Sequence, residues 1–485
     1  MTSPHIVSIH ILDDDSLLNI FRLYRPFVSG ENENDFQEGW QGRWWYSLAH
    51  VCRRWRNLIL GSSSYLGVSL VCTNGTPVEN MLAHSPPLPL TVDYRHDDGI
   101  TAEDEEGILL ALEQRRRVRH LRLFFPVQFL QQLVMAIDEE FPILEYLIIG
   151  SPKSGNTALM LPETLQTPNL HHLKLDGFAC PIRSRLHPTA TSLVTLYLAI
   201  DHQSAYFQPN ILLQWISFMP QLESLNIAFT SPVSNRDVER QLTRTPITTH
   251  ATLPNLRLFW FRGVSAYLEA IVCRITTPRL EKLQIRLFNQ PTFSIPLFPQ
   301  FMNTTENPGP DHAVIKFKDK EIDLGIFPRG ADTYTFGVRV HCVPVDWQVS
   351  SGAQICHAFS QVVNAVEHLT LKYEVLARRS SEEHTYNDVD RIEWRTLLRS
   401  FSNVKTLRVE DGLVEKVSCC LRLEAGELPL ELLPELQELT YFQSDDAGDA
   451  FTSFVDSRRN AGRPVTLVLR RVRRGPRPRC VRLRS

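Results

Sequence analysis

The chain lacks the marks of most enzyme classes. It has no glycine-rich phosphate loop, dinucleotide fingerprint, zincin helix or nucleophile elbow. Its nine cysteines contain no CxxC pair and no regular spacing. That fits free, mostly buried thiols in a reducing compartment better than a disulfide framework or a zinc site. No run approaches the ~18 apolar residues that a membrane span requires. The N-terminus, MTSPHIVSIHILDDD, has no basic start and meets three aspartates too early for a signal peptide. A soluble cytoplasmic or nuclear protein with no membrane partner is therefore expected, and Asn303-Thr304-Thr305 is an idle glycosylation sequon. Charge of one sign is missing too. The formal net charge of −3 selects neither for nor against nucleic acid.

The clusters that suggest chemistry have plainer readings. Asp13-Asp14-Asp15 reads as a favourable helix start rather than a metal site. His171 and His172 are strand neighbours whose side chains point to opposite faces, and Cys419-Cys420 is read the same way. No catalytic residue, cofactor or metal ligand is expected, and the chain is not expected to be an enzyme.

What is present is a large amount of ordinary globular sequence. The 485 residues, 43% hydrophobic and 22% charged, suffice for two or three units or one long repeat array. The densest apolar pattern is WWYSLAHVCRRWRNLIL, residues 44–60. Trp45, Leu48, Ala49, Cys52, Trp55 and Ile59 recur at three- and four-residue steps, which places them on one helical face. A helix this short is marginal alone, so its stripe has to dock onto something.

VCRRWRNLI, with the acidic amphipathic run LDDDSLLNIF at Leu12 to Phe21, resembles the two ends of an F-box. The matching residues are Leu12, Leu17, Leu18, Ile20 and Phe21, then Leu48, Val51, Cys52, Trp55 and Ile59. The resemblance implies a small helical module over residues 1–65 that docks on the adaptor subunit of an SCF-type cullin–RING ubiquitin ligase. Two departures stand out: the family's Leu-Pro start reads Leu12-Asp13, and a polar insertion occupies 26–43.

Beyond the module, Leu66 to Val71 and Leu90 to Tyr94 read as strands, Pro77 to His84 as a helix, and Thr101 to Glu113 as a capped helix. The chain then repeats one φxxφxφ pattern ten times. It begins at Val118, Leu144, Leu170, Leu193, Leu222, Leu256 and Leu280, and, after a gap, at Val366, Val404 and Leu436. Each alternating tail predicts a short strand with one face buried. Between them Val127 to Glu140, Ile211 to Met219, Ser265 to Thr276, Ala353 to Ala365 and Arg391 to Phe401 have helical spacing. Several units carry a proline just before the next φxxφxφ, where a helix cannot continue.

The expected fold class is thus α/β: a short N-terminal helical F-box-like module followed, over 66–470, by an irregular leucine-rich-repeat-like solenoid of strand–helix units. The array resembles the irregular leucine-rich repeats that follow F-boxes in substrate receptors. It departs from the standard repeat in lacking Asn after the strand, where Phe178, Thr230 and Phe288 stand. Thr292 to Gln348 fits poorly, with strands expected only at Ala313 to Phe317 and Tyr334 to Cys342. The closing residues 471–485 belong to an arginine-rich tail, read as solvated, with nuclear import or nucleic-acid binding as its other readings.

In each φxxφxφ the third and fifth positions face away from the core. The target-binding face is therefore expected to contain Tyr146, His172, Lys174, Tyr197, Trp260 and Lys282. The family resemblance implies a substrate-recognition subunit that binds the adaptor through its N-terminal helices and a target protein through its repeats. Two alternatives stay open. One is a non-catalytic leucine-rich-repeat scaffold with a degenerate F-box, favoured by Asp13 and the insertion; the other is a nucleic-acid-associated protein using the arginine tail.

Overall fold

The computed structural model describes residues 9–24, 44–96, 100–151, 159–179, 185–200, 206–229, 248–288, 298, 301, 310–318, 320–331, 333–342, 345–374, 388–410, 412–423, 428, 430–443 and 450–471. The whole of the insertion 26–43 and nearly all of the arginine-rich tail lie outside these residues. The architecture is mixed α/β, with mostly parallel strands and helices in the connections. The chain divides into two compact units, Met1–Thr230 and Ser231–Ser485. Among the described residues no helix is long and apolar enough to cross a membrane.

The first unit opens with α1 (Asp14–Tyr24), α2 (Trp44–Ala49), α3 (Arg53–Gly61) and α4 (Ser63–Leu66). The expected single helix over 44–60 is therefore two. Cys52 is extended, with φ −158° and ψ 169°, and its sulfur accepts the Trp55 N–H at 3.5 Å, so it caps a new helix. The strand expected from Leu66 also starts later. Gly67 adopts the left-handed conformation at φ 65° and ends α4, and β1 covers Leu70–Cys72.

Six more strands of the same sheet follow: β2 (Leu90–Arg95), β3 (Val118–Phe124), β4 (Tyr146–Gly150), β5 (His172–Asp176), β6 (Thr195–Ile200) and β7 (Ser224–Phe229). Each pairs in parallel with the next of this series, while the two-residue strands Leu159–Met160 and Phe178–Ala179 pair with each other outside it. The expected helices appear at Val78–His84, Ala102–Glu113, Val127–Met135 and Pro209–Ile216. In Ala102–Glu113 the Thr101 hydroxyl accepts the Asp104 N–H at 3.1 Å, the capping that the sequence implied.

All ten φxxφxφ segments form strands, with the first, fourth and sixth positions inside. Leu144, Leu147 and Ile149 are fully buried, as are Leu222, Leu225 and Ile227. Helix residues such as Leu130, Leu212, Leu213 and Ile216 complete this core. Each such aliphatic side chain contributes about 1.5–3 kcal/mol on burial. The prolines do more than stop helices. Leu144, Leu170, Leu222, Leu256, Leu280 and Leu436 each donate an N–H to the carbonyl three residues back, at 3.0–3.4 Å, across Pro142, Pro168, Pro220, Pro254, Pro278 and Pro434. Proline occupies the second position of a tight turn, where its fixed φ is already suitable. Of the residues standing where the standard repeat has Asn, Phe178 is buried, Phe288 is half-buried and Thr230 lies outside the described residues.

The second unit contains β8 (Leu258–Gly263), β9 (Lys282–Leu287), β10 (Pro310–Lys318), β11 (Glu321–Pro328), β12 (Phe336–His341), β13 (His368–Glu374), β14 (Thr406–Val409), β15 (Glu438–Gln443) and β16 (Thr466–Arg471). Their spatial order is β8-β9-β12-β11-β10-β13-β14-β15-β16. The poorly fitting region is thus a three-stranded meander. β11 was not expected, and it runs antiparallel to both β10 and β12, whereas β9–β12 and β10–β13 are parallel. Helices at Ser265–Val272, Val345–Ala358 and Asp388–Arg399 were expected, with shifted bounds; those at Val414–Leu421 and Thr452–Asn460 were not. Cys419 and Cys420 accordingly lie on a helix rather than a strand, with Cys420 buried.

Candidate functional site

The N-terminal helices assemble around aromatic side chains. Leu17, Phe21, Trp45, Trp55 and Ile59 are buried, and the Phe21 and Trp55 rings meet edge-on with centroids 4.9 Å apart. Trp45 Nε1 donates to the Ser69 carbonyl at 3.2 Å, tying α2 to the approach of β1. Arg54 on α3 reaches the start of α1, donating to the Leu12 carbonyl at 2.7 Å and to Asp14 Oδ1 at 2.8 Å. Asp13 is the N-cap of α1: its Oδ1 accepts the Ser16 N–H at 2.7 Å. Hydrogen bonds from the Ser16 backbone and hydroxyl hold the Asp13 carboxyl below its usual range, with a smaller contribution from Arg54. The aspartate that stands in place of the family's proline therefore caps this helix through its side chain.

The ten residues expected to meet the adaptor separate by depth. Leu17, Phe21, Trp55 and Ile59 are interior; Leu12, Leu18, Leu48 and Cys52 are half-buried. Ile20 and Val51 are 42% and 58% exposed. Sequence reasoning missed Ile11, Leu23 and Tyr24, which are 74%, 86% and 60% exposed. The signal was available, because Leu23 and Tyr24 fall three and four residues after Ile20 and so share its stripe of α1.

In the first unit the strand register brings four of the expected target-facing residues together. His120, Tyr146, His172 and Thr195 occupy one row across β3 to β6, and Arg122, Ile148, Lys174 and Tyr197 the next. Tyr146 stands edge-on to His120 at 4.7 Å and lies stacked on His172 at 4.3 Å. The Lys174 ammonium is 4.2 Å from the centre of the Tyr197 ring, a cation–π contact. All four expected residues are half-buried. Burial, and then His171, depress the His172 pKa below the ordinary histidine value, while Glu145 opposes them.

In the second unit Trp260 and Lys282 are half-buried on β8 and β9. Lys282 lies 5.5 Å from the Tyr334 ring, which stands edge-on to Phe327 at 6.0 Å. These two rings cover glycine backbone: a Cβ added at Gly337 would come 2.8 Å from Tyr334 Cε2. The second motif positions pair by charge between neighbouring strands, as Arg119–Glu145 at 2.9 Å and Glu367–Lys405 at 2.7 Å.

The described residues hold one group of potential metal ligands, Asp311, Glu367 and His368, whose ligand atoms lie within 4.8 Å of one another. Glu367 is already engaged by the Lys405 ammonium, and His368 Nδ1 is bonded to the Thr406 hydroxyl at 2.7 Å. The arrangement is a charge-compensated knot between strands. Burial pushes the Cys72 thiol up to about 12 and that of Cys342 to about 11, which keeps both protonated and poorly nucleophilic at neutral pH. Exposed apolar side chains on helices, and aromatic and cationic side chains on strands, are features of a protein-binding surface. The chain matches no protein-family model and no curated protein.

Proposed function

We propose that this chain is the non-catalytic substrate receptor of an SCF-type ubiquitin ligase. Residues 9–61 act as an F-box-like module that docks on the adaptor. The strand–helix units behind them stack as an irregular leucine-rich-repeat-like solenoid that holds a target protein. The observation that carries this reading is the division within α1. Leu17 and Phe21 are closed into the helical core, whereas Ile20, Leu23 and Tyr24 stay in water at 42%, 86% and 60% exposure. Water-exposed apolar side chains on one helical stripe favour a partner that covers them. The order of the motifs, helical module first and parallel strand–helix units second, supports the same reading.

Replacing Ile20 and Leu23 by Glu leaves the buried stripe untouched and tests the proposal directly. Purified adaptor subunit is expected to co-elute with the wild-type chain, and not with the Ile20→Glu, Leu23→Glu variant at equal thermal stability. Adaptor that fails to bind the wild-type chain refutes adaptor docking and leaves an interaction scaffold as the reading; equal binding of both proteins refutes the exposed α1 stripe as the docking surface.

A further inference from the structure

We infer that the outer sheet face of the second unit binds an acidic segment of a protein partner. The observation is a row of side chains formed only by the strand register. Arg262 on β8 is level with Arg286 on β9, Arg286 with Arg339 on β12, and Arg339 with Asp323 on β11. Asp323 is level with Lys316 on β10, and Lys316 with Lys372 on β13. Six adjacent strands thus present five cations and one carboxylate in a single line about 24 Å long at the usual strand spacing. An extended peptide of about seven residues spans that distance.

The immediate surroundings keep the imbalance. Adding Lys318 and Arg408 gives seven cations. Among the described residues, Asp323, Glu321, Glu374 and Glu410 are paired with cations of this set. Glu321 is shared by Arg286 at 3.1 Å, Lys318 at 3.2 Å and Arg339 at 3.5 Å, and Asp323 by Arg339 at 2.9 Å and Lys318 at 3.5 Å. These shared acids hold the cations side by side against their own repulsion. Among these described residues the cations outnumber the carboxylates, although the chain's formal net charge is −3.

Charge complementarity calls for an anionic occupant. The Asp323 carboxylate interrupts the cations of the row, which suits side chains arriving at intervals better than the unbroken charge of a nucleic-acid backbone. Forked guanidiniums at Arg262, Arg286 and Arg339 suit planar carboxylates. The inference deepens the target-capture reading and rests on this sheet face being a binding surface. It does not depend on adaptor docking.

The test measures fluorescence anisotropy of a labelled ten-residue Asp/Glu-rich peptide with the full-length chain. The tail arginines at 473, 474, 477, 479, 482 and 484 are replaced by Gln in every sample, so that the tail is not the source of binding. Binding that weakens with salt is expected for the parent. The Arg262→Gln, Arg286→Gln, Lys372→Gln variant is expected to lose at least tenfold. Its fold should persist, since Glu321 keeps Lys318 and Arg339, and Glu410 keeps Arg408. A Glu374→Gln, Glu410→Gln variant is expected to bind severalfold more tightly, a gain that misfolding cannot imitate. Undiminished binding by the triple variant, no gain in the Gln-for-Glu variant, or preferential binding of a single-stranded oligonucleotide would each overturn the inference. Adaptor co-elution is read separately, so its failure and the failure of this inference are distinguishable.

Discussion

Truncation of Trp55 to alanine tests the helical module at its centre. The side chain is 9% exposed and meets Phe21 edge-on at 4.9 Å, so the substitution removes an aromatic that joins α3 to α1. Deleting a buried Trp costs about 3–5 kcal/mol, of which the ring pair itself accounts for about 0.5–1.5 kcal/mol. At 1.4 kcal/mol per tenfold change, local protection against amide exchange in α1 and α3 should fall by roughly two to three and a half decades. Strand amides at Leu121 and Leu147 have their own buried core and should exchange as before. Leu23→Ala is the control, because a side chain 86% exposed is worth little to the fold. Hydrogen exchange read by mass spectrometry over 14–24 and 53–61 decides the matter. Protection in α1 within threefold of wild type would refute the argument that Trp55 couples these helices.

Three further outcomes are expected. Asp13→Ala should fray α1, and in the wild-type chain the contribution of Asp13, whose folded pKa is depressed, should be present above the unfolded carboxylate range and lost as pH falls through the folded value; the Ser16 amide shift followed by NMR reports it. His172 should titrate below the unfolded value of ~6.5, so stability tied to it is complete above that pH and declines on acidification; Tyr146→Ala, by admitting water, should move the NMR-measured pKa upward, and an unmoved value would remove burial as its cause. Gly150→Ala should cost about 1–3 kcal/mol in urea unfolding, since the new Cβ would come 2.8 Å from the Asp176 Cβ and 3.0 Å from the Phe124 ring, and a neutral result would mean the strands part easily there.

The sequence disclosed elements wherever spacing alone determined them. Ten strands were legible because φxxφxφ fixes both the strand and its inner face, as at Leu144, Leu147 and Ile149. β11 was not, although Ile322, Leu324 and Ile326 alternate inward, because it lacks the repeat's leading position and its partners are set by a meander. The break between α2 and α3 was hidden because helical spacing runs through Leu48, Cys52 and Trp55 without interruption; only the extended backbone of Cys52 reveals it. Prolines such as Pro142 and Pro278 announced an ending, but the closed turn they create is a hydrogen-bond fact. The arginine and lysine row could not be read at all. Arg262, Arg286 and Lys372 lie one alternation beyond the motif, and Arg339, Asp323 and Lys316 join them only through register.

The reversed strand also bears on the order of assembly. The ribosome makes β10 first, yet β9 pairs with β12, the last of the three meander strands to be made. The edge of β9 therefore stays open until Phe336–His341 has emerged, while β10 can close only against its own local partner β11. β10 is in turn the template on which β13 is laid down. A nascent chain thus has a natural pause in growth at β9 and a self-contained antiparallel seed from which strand addition resumes. Slow decoding or chaperone capture before Phe336–His341 has emerged would lengthen the time for which the edge of β9 stays open.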